Sequence, residues 1–409
     1  MRFWEHFRDG DWVTLERARL WACALLIAYA AVIACLFLTA HGLNDYQGRP
    51  LGSDFSNIYA AGVQANAGHA AEIYVPAKHL AAERAIFGAK TPFYGWHYPP
   101  FLLLIAVPLA LLPYFAALFV WQATTFALYL GAMALLLRNS TANIDARFWI
   151  LFAVAFPAVL ANLLAGHNGF LTAALLAGAL ALLDTRPVLA GLLFGLLAYK
   201  PQFGLMIPLA LLVTARWRAI GGAVLSVIAL SLLCSLAFGT EIWTAFLASE
   251  QFTRTVVLEQ GQTGFYRIQS MFAWVRLWGG PVPLAYAAQG LLTLLCAVSV
   301  FRIWRGGASQ GNKSASLCIA AILATPYSLD YDLMALAPAI ALLAADAIAG
   351  GWRPYEKSLI AGLWLMPFVA RALPALTLIP IAVPVMIAAL ALTLRYADGE
   401  ASRTRFAKA

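Results

Sequence analysis

The sequence has few charged residues and long apolar runs. Only 11% of its 409 residues are charged, while 62% are hydrophobic. Soluble domains carry about 25% charged residues, and a water-soluble core cannot accommodate so much apolar surface, so the solvent must be partly lipid. The apolar runs are continuous rather than alternating, which excludes a transmembrane β-barrel. We therefore expect an all-α polytopic membrane protein.

Motifs for metals, nucleotides and disulfides are also scarce. There is no HExxH, no Gly-rich phosphate loop and no defensible Ser/His/Asp spacing. The cysteines all fall within apolar runs, and no pair shares a predicted loop, so we expect neither disulfides nor a metal site. We expect no cofactor either. The cysteines are Cys23, Cys35, Cys234, Cys296 and Cys318.

The net charge of +8 does not indicate a nucleic-acid partner. Most Lys and Arg residues fall in short loops and at the termini, which is typical of cytoplasmic anchoring in a cell membrane. The first apolar run, at roughly 18–40, follows Arg2, Arg8, Arg17 and Arg19. This places the N-terminus in the cytoplasm and predicts a retained span rather than a cleavable signal.

The number of crossings depends on one long run. Residues 187–214 are interrupted by "YKPQ" at 199–202. Counted as one kinked span, this run gives about twelve transmembrane helices, which we prefer; counted as a hairpin, it gives thirteen crossings and makes an earlier run re-entrant. With twelve, Arg138 and Arg147 end up outside, against the positive-inside tendency. The other later runs cover 98–112, 114–137, 147–164, 168–184, 217–238, 282–304, 314–327, 331–349, 357–371 and 374–395.

Two long loops should share the outer face. In the first, at 41–97, "SDFSNIYAAGVQANAG" and "VPAKHLAAERAIFG" predict two short amphipathic helices lying along the interface. The second covers 239–281, and the "SLDYD" turn at 328–332 falls on the same face because the loops around 302–313 and 350–357 are basic.

Polar groups beside membrane spans are expensive and are therefore functional candidates. One carboxylate on an interfacial helix, with cations at other loop edges, suits sugar transfer from a lipid phosphate. The phosphate is already a good leaving group, so one Asp suffices as general base, and cations can neutralise the departing charge. Partial burial would raise the pKa of that Asp. The candidates are Asp54 as base, with Lys200, His97, Tyr98, Asn57, Arg267, Gln269, Asp330 and Gln202 binding substrate.

Structural alternatives stand beside these roles. Asp54 could cap its helix together with Ser53, and Asp330 and Asp332 could cap the next one. His97 could belong to an aromatic belt, and His167 in "GHNG" is expected only to line a turn. We expect the remaining loop residues His69, Glu72 and His79 to be solvated.

Six stretches together resemble glycosyltransferase family 87, a family of C-type membrane enzymes that use a polyprenyl-phosphate sugar, typically mannose. They are "SDFSNIYAAG", "WHYPPFLLLIAVPLALLP", "GHNGFL", "AGLLFGLLAYKPQFGL", "RIQSMFAWVRL" and "ATPYSLDYDL", and they occur in the family's order between roughly 15 and 345. Two departures concern specificity: many relatives carry Gln where His167 stands, and Trp and His in the region of "SLDYD".

The resemblance implies a catalytic Asp in the first outer loop, which Asp54 matches. It implies a conserved seven-helix catalytic module at 1–238 including loop 41–97, then the second loop at 239–281, then a C-terminal transmembrane module with a basic cytoplasmic tail at 282–409. The resemblance therefore implies inverting transfer of a hexose, typically mannose, to an extracytoplasmic hydroxyl of a glycolipid or glycan. The alternative is a transporter or flippase of a lipid-linked sugar, which usually needs charged pairs deep in several spans; this sequence is poor in such pairs.

Overall fold

The computed structural model describes residues 2–138 and 145–406, and within these ranges it is helical, with isolated β-bridges as its only extended pairing. The last three residues of the predicted basic tail lie outside the described part. The helices up to residue 238 are α1 (Arg2–Asp9), α2 (Leu15–Leu38), α3 (Ser53–Asn66), α4 (Pro76–Phe87), α5 (Leu103–Leu109), α6 (Tyr114–Arg138), α7 (Ala146–Ala155), α8 (Pro157–Ala165), α9 (Gly169–Leu182), α10 (Pro187–Leu196), α11 (Met206–Val213) and α12 (Trp217–Phe238).

The second part of the chain continues with a π-helical segment after α13 and a 3-10 segment, Asp330–Leu336, before α17. Its α-helices are α13 (Glu241–Phe252), α14 (Met271–Leu277), α15 (Val282–Arg305), α16 (Gln310–Leu323), α17 (Ala337–Gly350), α18 (Glu356–Val369), α19 (Ala372–Thr377) and α20 (Ala382–Phe406).

Five helical stretches of the described chain are long and apolar enough to cross a membrane: α2, α6, α12, α15 and Asp330–Gly350. A sixth arises if α7 and α8, bent by 52°, count as one span. The bend falls before Pro157, because proline lacks the N–H group that would continue the ladder. Several of these helices expose large apolar side chains, such as Ile27 (72%) and Leu236 (84%), as a lipid-facing surface requires.

The loop 41–97, predicted to be outer, contains both predicted helices, α3 and α4, and Pro76 is the first residue of α4. We call the end of the bundle that carries this loop the loop end. His69 and Glu72 are solvated as expected, but His79 was wrongly expected to be: it is fully buried. Its ring is held by Gln64, whose Oε1 lies 2.7 Å from Nδ1, because α4 packs against α3.

Hydrogen bonds fix the direction of α6. The Tyr114 hydroxyl donates to the Leu51 carbonyl at the loop end. Trp121 Nε1 donates to the Gly166 carbonyl at 3.0 Å, and the Tyr129 hydroxyl donates to the Ala153 carbonyl at 3.2 Å. The pair α7–α8 therefore runs antiparallel to α6, and both ends next to the undescribed gap lie at the opposite end of the bundle.

The run 98–112 does not traverse the bundle. Its last part is tied to α3, because the Tyr59 hydroxyl donates to the Leu112 carbonyl at 2.9 Å and Asn66 Nδ2 to the Val107 carbonyl at 3.0 Å. A Cβ atom at Gly62 would overlap the Ala106 carbonyl, so only glycine allows this close approach. The run begins and ends at the loop end.

The run 187–214 is a hairpin. A Cβ at Gly191 would overlap the Ala219 carbonyl and one at Gly195 would meet Ala223 and Ser226, so α10 and α12 run parallel. If α11 continued along α10, its end would lie roughly 35 Å from the start of α12 at 1.5 Å per residue. The linker 214–216 reaches at most roughly 14 Å, so α11 must turn back. The interpretation of 187–214 as one kinked span is therefore wrong, because the chain reverses around Pro201.

The later helices alternate in the same way. Gln289 Nε2 donates to the Leu323 carbonyl at 2.9 Å, and Trp304 Nε1 donates to the Lys313 carbonyl at 3.0 Å, so α15 and α16 are antiparallel. At α18, Ser358 accepts from Trp12 Nε1 at the opposite end. Beyond its other end, the Ala370 carbonyl accepts a hydrogen bond from Gln269 Nε2 in the loop 239–281.

Candidate active site

Asp54 lies in the first turn of α3 at the loop end. The residue before the helix is Gly52 in the left-handed region (φ 71°), and no side chain caps the helix. Gly52 is needed there because the turn packs directly on Gly166, also left-handed (φ 67°). The alternative that Asp54 is merely a cap with Ser53 is therefore not what the structure shows.

The Asp54 carboxylate is half-buried and poised between charged groups. Its Oδ2 is buried without a hydrogen-bond partner in the described residues. Burial raises the pKa of Asp54 to about 6, while Arg267, Lys200 and the Tyr331 side chain pull it down and Asp330 pushes it up. A carboxylate in this state accepts a proton near neutral pH more readily than an exposed Asp does.

The "GHNG" turn contributes more than the sequence indicated. His167 is buried, and its ring stacks on Tyr331 with centroids 3.4 Å apart. Its Nε2 lies 3.0 Å from the Tyr98 hydroxyl, which places the predicted residue Tyr98 in the site. Asn162 connects the two chain segments that meet here. Its Nδ2 donates to the Tyr331 carbonyl and its Oδ1 accepts from the Gly169 N–H, each at 2.9 Å.

Lys200 stands at the tip of the α10–α11 hairpin. Its Nζ lies 2.5 Å from Asp332 Oδ1, and both side chains are buried. The other carboxylate oxygen of Asp332 accepts a hydrogen bond from the Leu329 N–H at 2.9 Å. Asp332 therefore also caps the following helix, which was the alternative role considered from the sequence. Gln202 lies two residues further along the hairpin and is half-buried.

A second charged cluster joins the loop 239–281 to the chain after α18. Arg371 Nη1 lies 3.7 Å from Asp330 Oδ2, and the Arg267 charge acts on both Asp330 and Asp54. Gln269 is buried and donates to Ser328 through its backbone N–H at 2.6 Å. Its role here is to hold this loop in place rather than to face an open pocket.

The predicted residues Asn57 and His97 lie in the same loop as Asp54, at 41–97. Asn57 Nδ2 donates to the Gly95 carbonyl at 3.1 Å, and His97 Nδ1 lies 2.9 Å from Thr253 Oγ1 at the start of the π-helical segment. Burial lowers the pKa of His97 to about 4, so its imidazole is neutral at pH 7 and offers a hydrogen bond rather than a charge.

The structure thus gathers around Asp54 the predicted residues Tyr98, Lys200, Arg267 and Asp330. It adds four that sequence reasoning missed or gave other roles: His167, Tyr331, Asp332 and Arg371. The sequence signal for His167, Tyr331 and Asp332 was the pair of polar motifs "GHNG" and "SLDYD", whereas Arg371 lies in neither motif. In the described chain no group of three or more His, Cys, Asp or Glu side chains could hold a metal ion, and the five cysteines are free.

An apolar groove of about 620 Å³ opens beside the hairpin tip. It runs between α10, α11 and α12. Its lining includes Leu197 and Pro201, which lie on either side of Lys200 in the sequence. Its walls also include Phe194, Ala198, Leu205, Pro208, Leu211, Leu212, Ile220, Val224, Val227 and Ile228. Such a groove can hold a hydrocarbon chain whose polar end reaches the site.

Comparison with known proteins identifies the class of chemistry. The family model for glycosyltransferase family 87 matches residues 96–326, more than half of the chain. The match begins after Asp54 and ends before Asp330, so neither carboxylate lies inside it. No curated protein and no solved structure matches the chain. On this match the chain is a membrane glycosyltransferase with a sugar donor and an acceptor, and it belongs to glycosyltransferase family 87.

Proposed function

We propose that this protein transfers a hexose from a polyprenyl-phosphate sugar to an acceptor hydroxyl on a glycolipid or glycan, with inversion at the anomeric carbon. Mannose is the first sugar to test, because the resemblance to the family implies it. The observation that carries the proposal is Asp54: a half-buried carboxylate with one oxygen unpartnered in the described residues, next to the cations Arg267 and Lys200.

In the proposed step the acceptor oxygen attacks the anomeric carbon, and its proton passes to Asp54. The bond from that carbon to the phosphate oxygen breaks, and the prenyl phosphate leaves with the electron pair. Since negative charge grows on the departing phosphate, nearby cations stabilise the transition state. Tyr98, Gln202 and Asn57 are proposed to shape the sugar and acceptor pocket, and His97 to donate one hydrogen bond.

The apolar groove supports a lipid-linked donor. A prenyl tail of isoprene units is stable in a hydrocarbon environment, and the groove wall is built from apolar side chains between α10, α11 and α12. The tail would leave the groove at the hairpin tip, where Lys200 marks the start of the polar site. The phosphate would therefore lie beyond the groove, within the polar site.

We further propose a C-type architecture with about twelve crossings. Seven lie in the first module: α2, α6, α7–α8, α9, α10, α11 and α12. Five follow: α15, α16, Asp330–Gly350, α18 and α20. The count remains at about twelve because the hairpin adds a crossing while the run 98–112 removes one.

The distribution of basic residues supports an extracytoplasmic site. With these crossings, Arg138 and Arg147 lie at the end opposite to Asp54, together with the N-terminal segment, so the positive-inside tendency is satisfied. Other basic residues at that end are Arg8, Arg17, Arg19, Arg186, Arg216, Arg218, Arg302, Arg305, Arg353, Lys357 and Arg395. The loop end and Asp54 would then face away from the cytoplasm of a cell membrane.

The test is transfer from polyprenyl-phosphate mannose in membranes that carry the protein or its Asp54→Asn variant. We expect the variant to lose at least about 100-fold in rate, as general-base catalysis contributes 10²–10⁴-fold. Glu72→Gln is the matched control, because Glu72 is a partly exposed carboxylate of the same loop, paired with Lys78. Full activity of Asp54→Asn would remove Asp54 from its role. A wild type that transfers from no such donor but moves it across liposomes would favour the transporter.

A further inference from the structure

The charges around Asp54 fall into two groups that differ in how far they are compensated. Lys200 is paired one to one with Asp332, and both side chains are buried. Among the described residues of the second group, two guanidinium groups, of Arg267 and Arg371, act on one carboxylate, Asp330. Arg267 also acts on Asp54, so positive charge exceeds negative charge on the Arg267 side once Asp54 has taken up a proton, whereas Asp332 neutralises the Lys200 side throughout.

The two arginines also have donors to spare. Arg267 Nε is buried and has no hydrogen-bond partner within the described residues. Arg371 is half exposed, and its 3.7 Å approach to Asp330 is longer than a hydrogen bond. Guanidinium groups present N–H donors in a fork that matches phosphate oxygens, whereas an ammonium such as that of Lys200 is a point charge.

One buried amide sets the spacing of the two arginines. Gln269 Nε2 donates to the Arg267 carbonyl at 3.1 Å and to the Ala370 carbonyl, next to Arg371, at 3.2 Å. The backbone bridge between Ile268 and Leu329 fixes Asp330 against the same loop. Backbone groups of three separate segments, those of Arg267, Ala370 and Leu329, therefore fix the relative positions of Arg267, Arg371 and Asp330.

We propose that Arg371 and Arg267 form the subsite for the donor's phosphodiester, with Gln269 as their positioning residue, and that Lys200 holds Asp332 and the hairpin tip instead of binding phosphate. This rests on the proposed function, since the phosphodiester is that of the lipid-linked sugar. Arg371 lies outside the matched segment, so the C-terminal module completes the donor site. When Asp54 takes the acceptor's proton, one negative charge disappears from the cluster as one appears on the departing phosphate.

The proposal is tested by binding rather than by turnover. The probe is polyprenyl phosphate without a sugar, added to the purified full-length protein, with polyprenol as the neutral analogue. We expect Arg371→Ala to weaken polyprenyl-phosphate binding about tenfold, the loss of one charge-assisted contact, and to leave polyprenol binding unchanged. Arg371→Lys should lose less. Arg254→Ala is the control, because Arg254 is an exposed cation of the loop 239–281, paired with Glu259.

A second variant is expected to change polyprenyl-phosphate binding in the opposite direction. Asp330→Asn removes the shared carboxylate but keeps the oxygen that accepts the Tyr331 N–H, so it should tighten polyprenyl-phosphate binding. A merely structural cluster would weaken binding of both probes in both variants, which would overturn the proposal. Wild-type affinity in Arg371→Ala would also overturn it, and so would equal competition by inorganic phosphate in wild type and Arg371→Ala.

Two outcomes separate this subsite from the proposed function. Loss of transfer in Asp54→Asn with unchanged binding in Arg371→Ala would refute this subsite alone. Absence of any transfer with the expected binding shifts would refute the proposed function alone.

Discussion

Lys200 Nζ and Asp332 Oδ1 lie 2.5 Å apart although 132 residues separate them in the chain. The lysine ends the first arm of the α10–α11 hairpin, and the aspartate lies in the 3-10 segment before α17. The pair therefore joins the chain before the loop 239–281 to the chain after it. The Lys200 ammonium also lies 5.6 Å from the Tyr331 ring centroid, which adds a cation–π contact in a desolvated place.

The first prediction concerns this pair. Lys200→Met alone or Asp332→Leu alone leaves an uncompensated buried charge, and each should destabilise the protein by about 3–5 kcal/mol. The double variant removes both charges and should be more stable than either single one. Thermal unfolding in detergent gives the stability of the wild type, the two single variants and the double variant. If the two single losses simply add in the double variant, the side chains do not interact.

The second prediction concerns the pH dependence of transfer. Asp54 must be ionised to accept a proton, and burial raises its pKa to about 6. The value of kcat/KM should therefore rise with pH through a midpoint near 6 and level off above that midpoint. Arg267 lowers this pKa, so Arg267→Gln should shift the midpoint to higher pH in addition to weakening donor binding. An unshifted midpoint would show that Asp54 is not the titrating group.

The third prediction uses two adjacent glycines of α12. A Cβ at Gly222 would overlap the Val188 carbonyl, whereas a Cβ at Gly221 meets nothing within 4 Å. Gly222→Ala should lower the free energy of unfolding by about 1–3 kcal/mol through overpacking. Gly221→Ala should change it by less than about 1 kcal/mol, in the stabilising direction. Equal effects of the two variants on thermal stability would contradict the close α10–α12 contact.

The fourth prediction concerns Glu83 on α4. Burial raises the pKa of Glu83 to about 8 from 4.5, and burial lowers that of His79, 3.8 Å away, to about 3 from 6.5. Both groups are therefore uncharged at pH 7. A raised folded-state pKa of an acid means that stability is fully present below pH 4.5 and is lost as pH rises to about 8.

Above pH 6.5 His79 no longer titrates in the unfolded chain, so Glu83 acts alone of the two. Between pH 6.5 and 8 the stability should fall by up to about 1.4 kcal/mol per pH unit. Glu83→Gln cannot ionise and should flatten this slope, as melting temperatures measured across the range would show. Because the Glu83 Oε2 atom accepts the Tyr94 N–H at 3.2 Å, which the Gln oxygen can also do, the fold should survive. An identical slope in the variant would assign the effect to another group.

The fifth prediction separates the two topologies. In a background without native cysteines, single cysteines replace Tyr46, Leu111 and Arg147, all exposed. A membrane-impermeant maleimide added to intact cells should label Tyr46→Cys and Leu111→Cys, and Arg147→Cys only after permeabilisation. In the arrangement with a spanning 98–112 run and a kinked 187–214 span, Leu111→Cys and Arg147→Cys would exchange their behaviour.

The candidate site divides by the range of the interactions that form it. Asp54, Tyr98 and Lys200 could be found in the sequence, because a polar side chain beside an apolar run is costly wherever it ends up. His167 and Asp332 could not be assigned a role, since a turn residue and a helix cap look alike in sequence whether or not they face a partner. Only the approach of segments far apart in the chain stacked His167 on Tyr331 and paired Asp332 with Lys200.

The sequence by itself determined the class of solvent, the helical architecture and the family, because hydropathy and local motifs depend on neighbours in the chain. It could not decide the path of the apolar runs. A run such as 187–214 has the same hydropathy whether it kinks or reverses, and glycines at 191, 195 and 222 show their purpose only when the backbones meet. Tertiary packing made that choice, and with it decided which arginines share the side of Asp54, because direction in a bundle is a property of contacts between helices and not of any one helix.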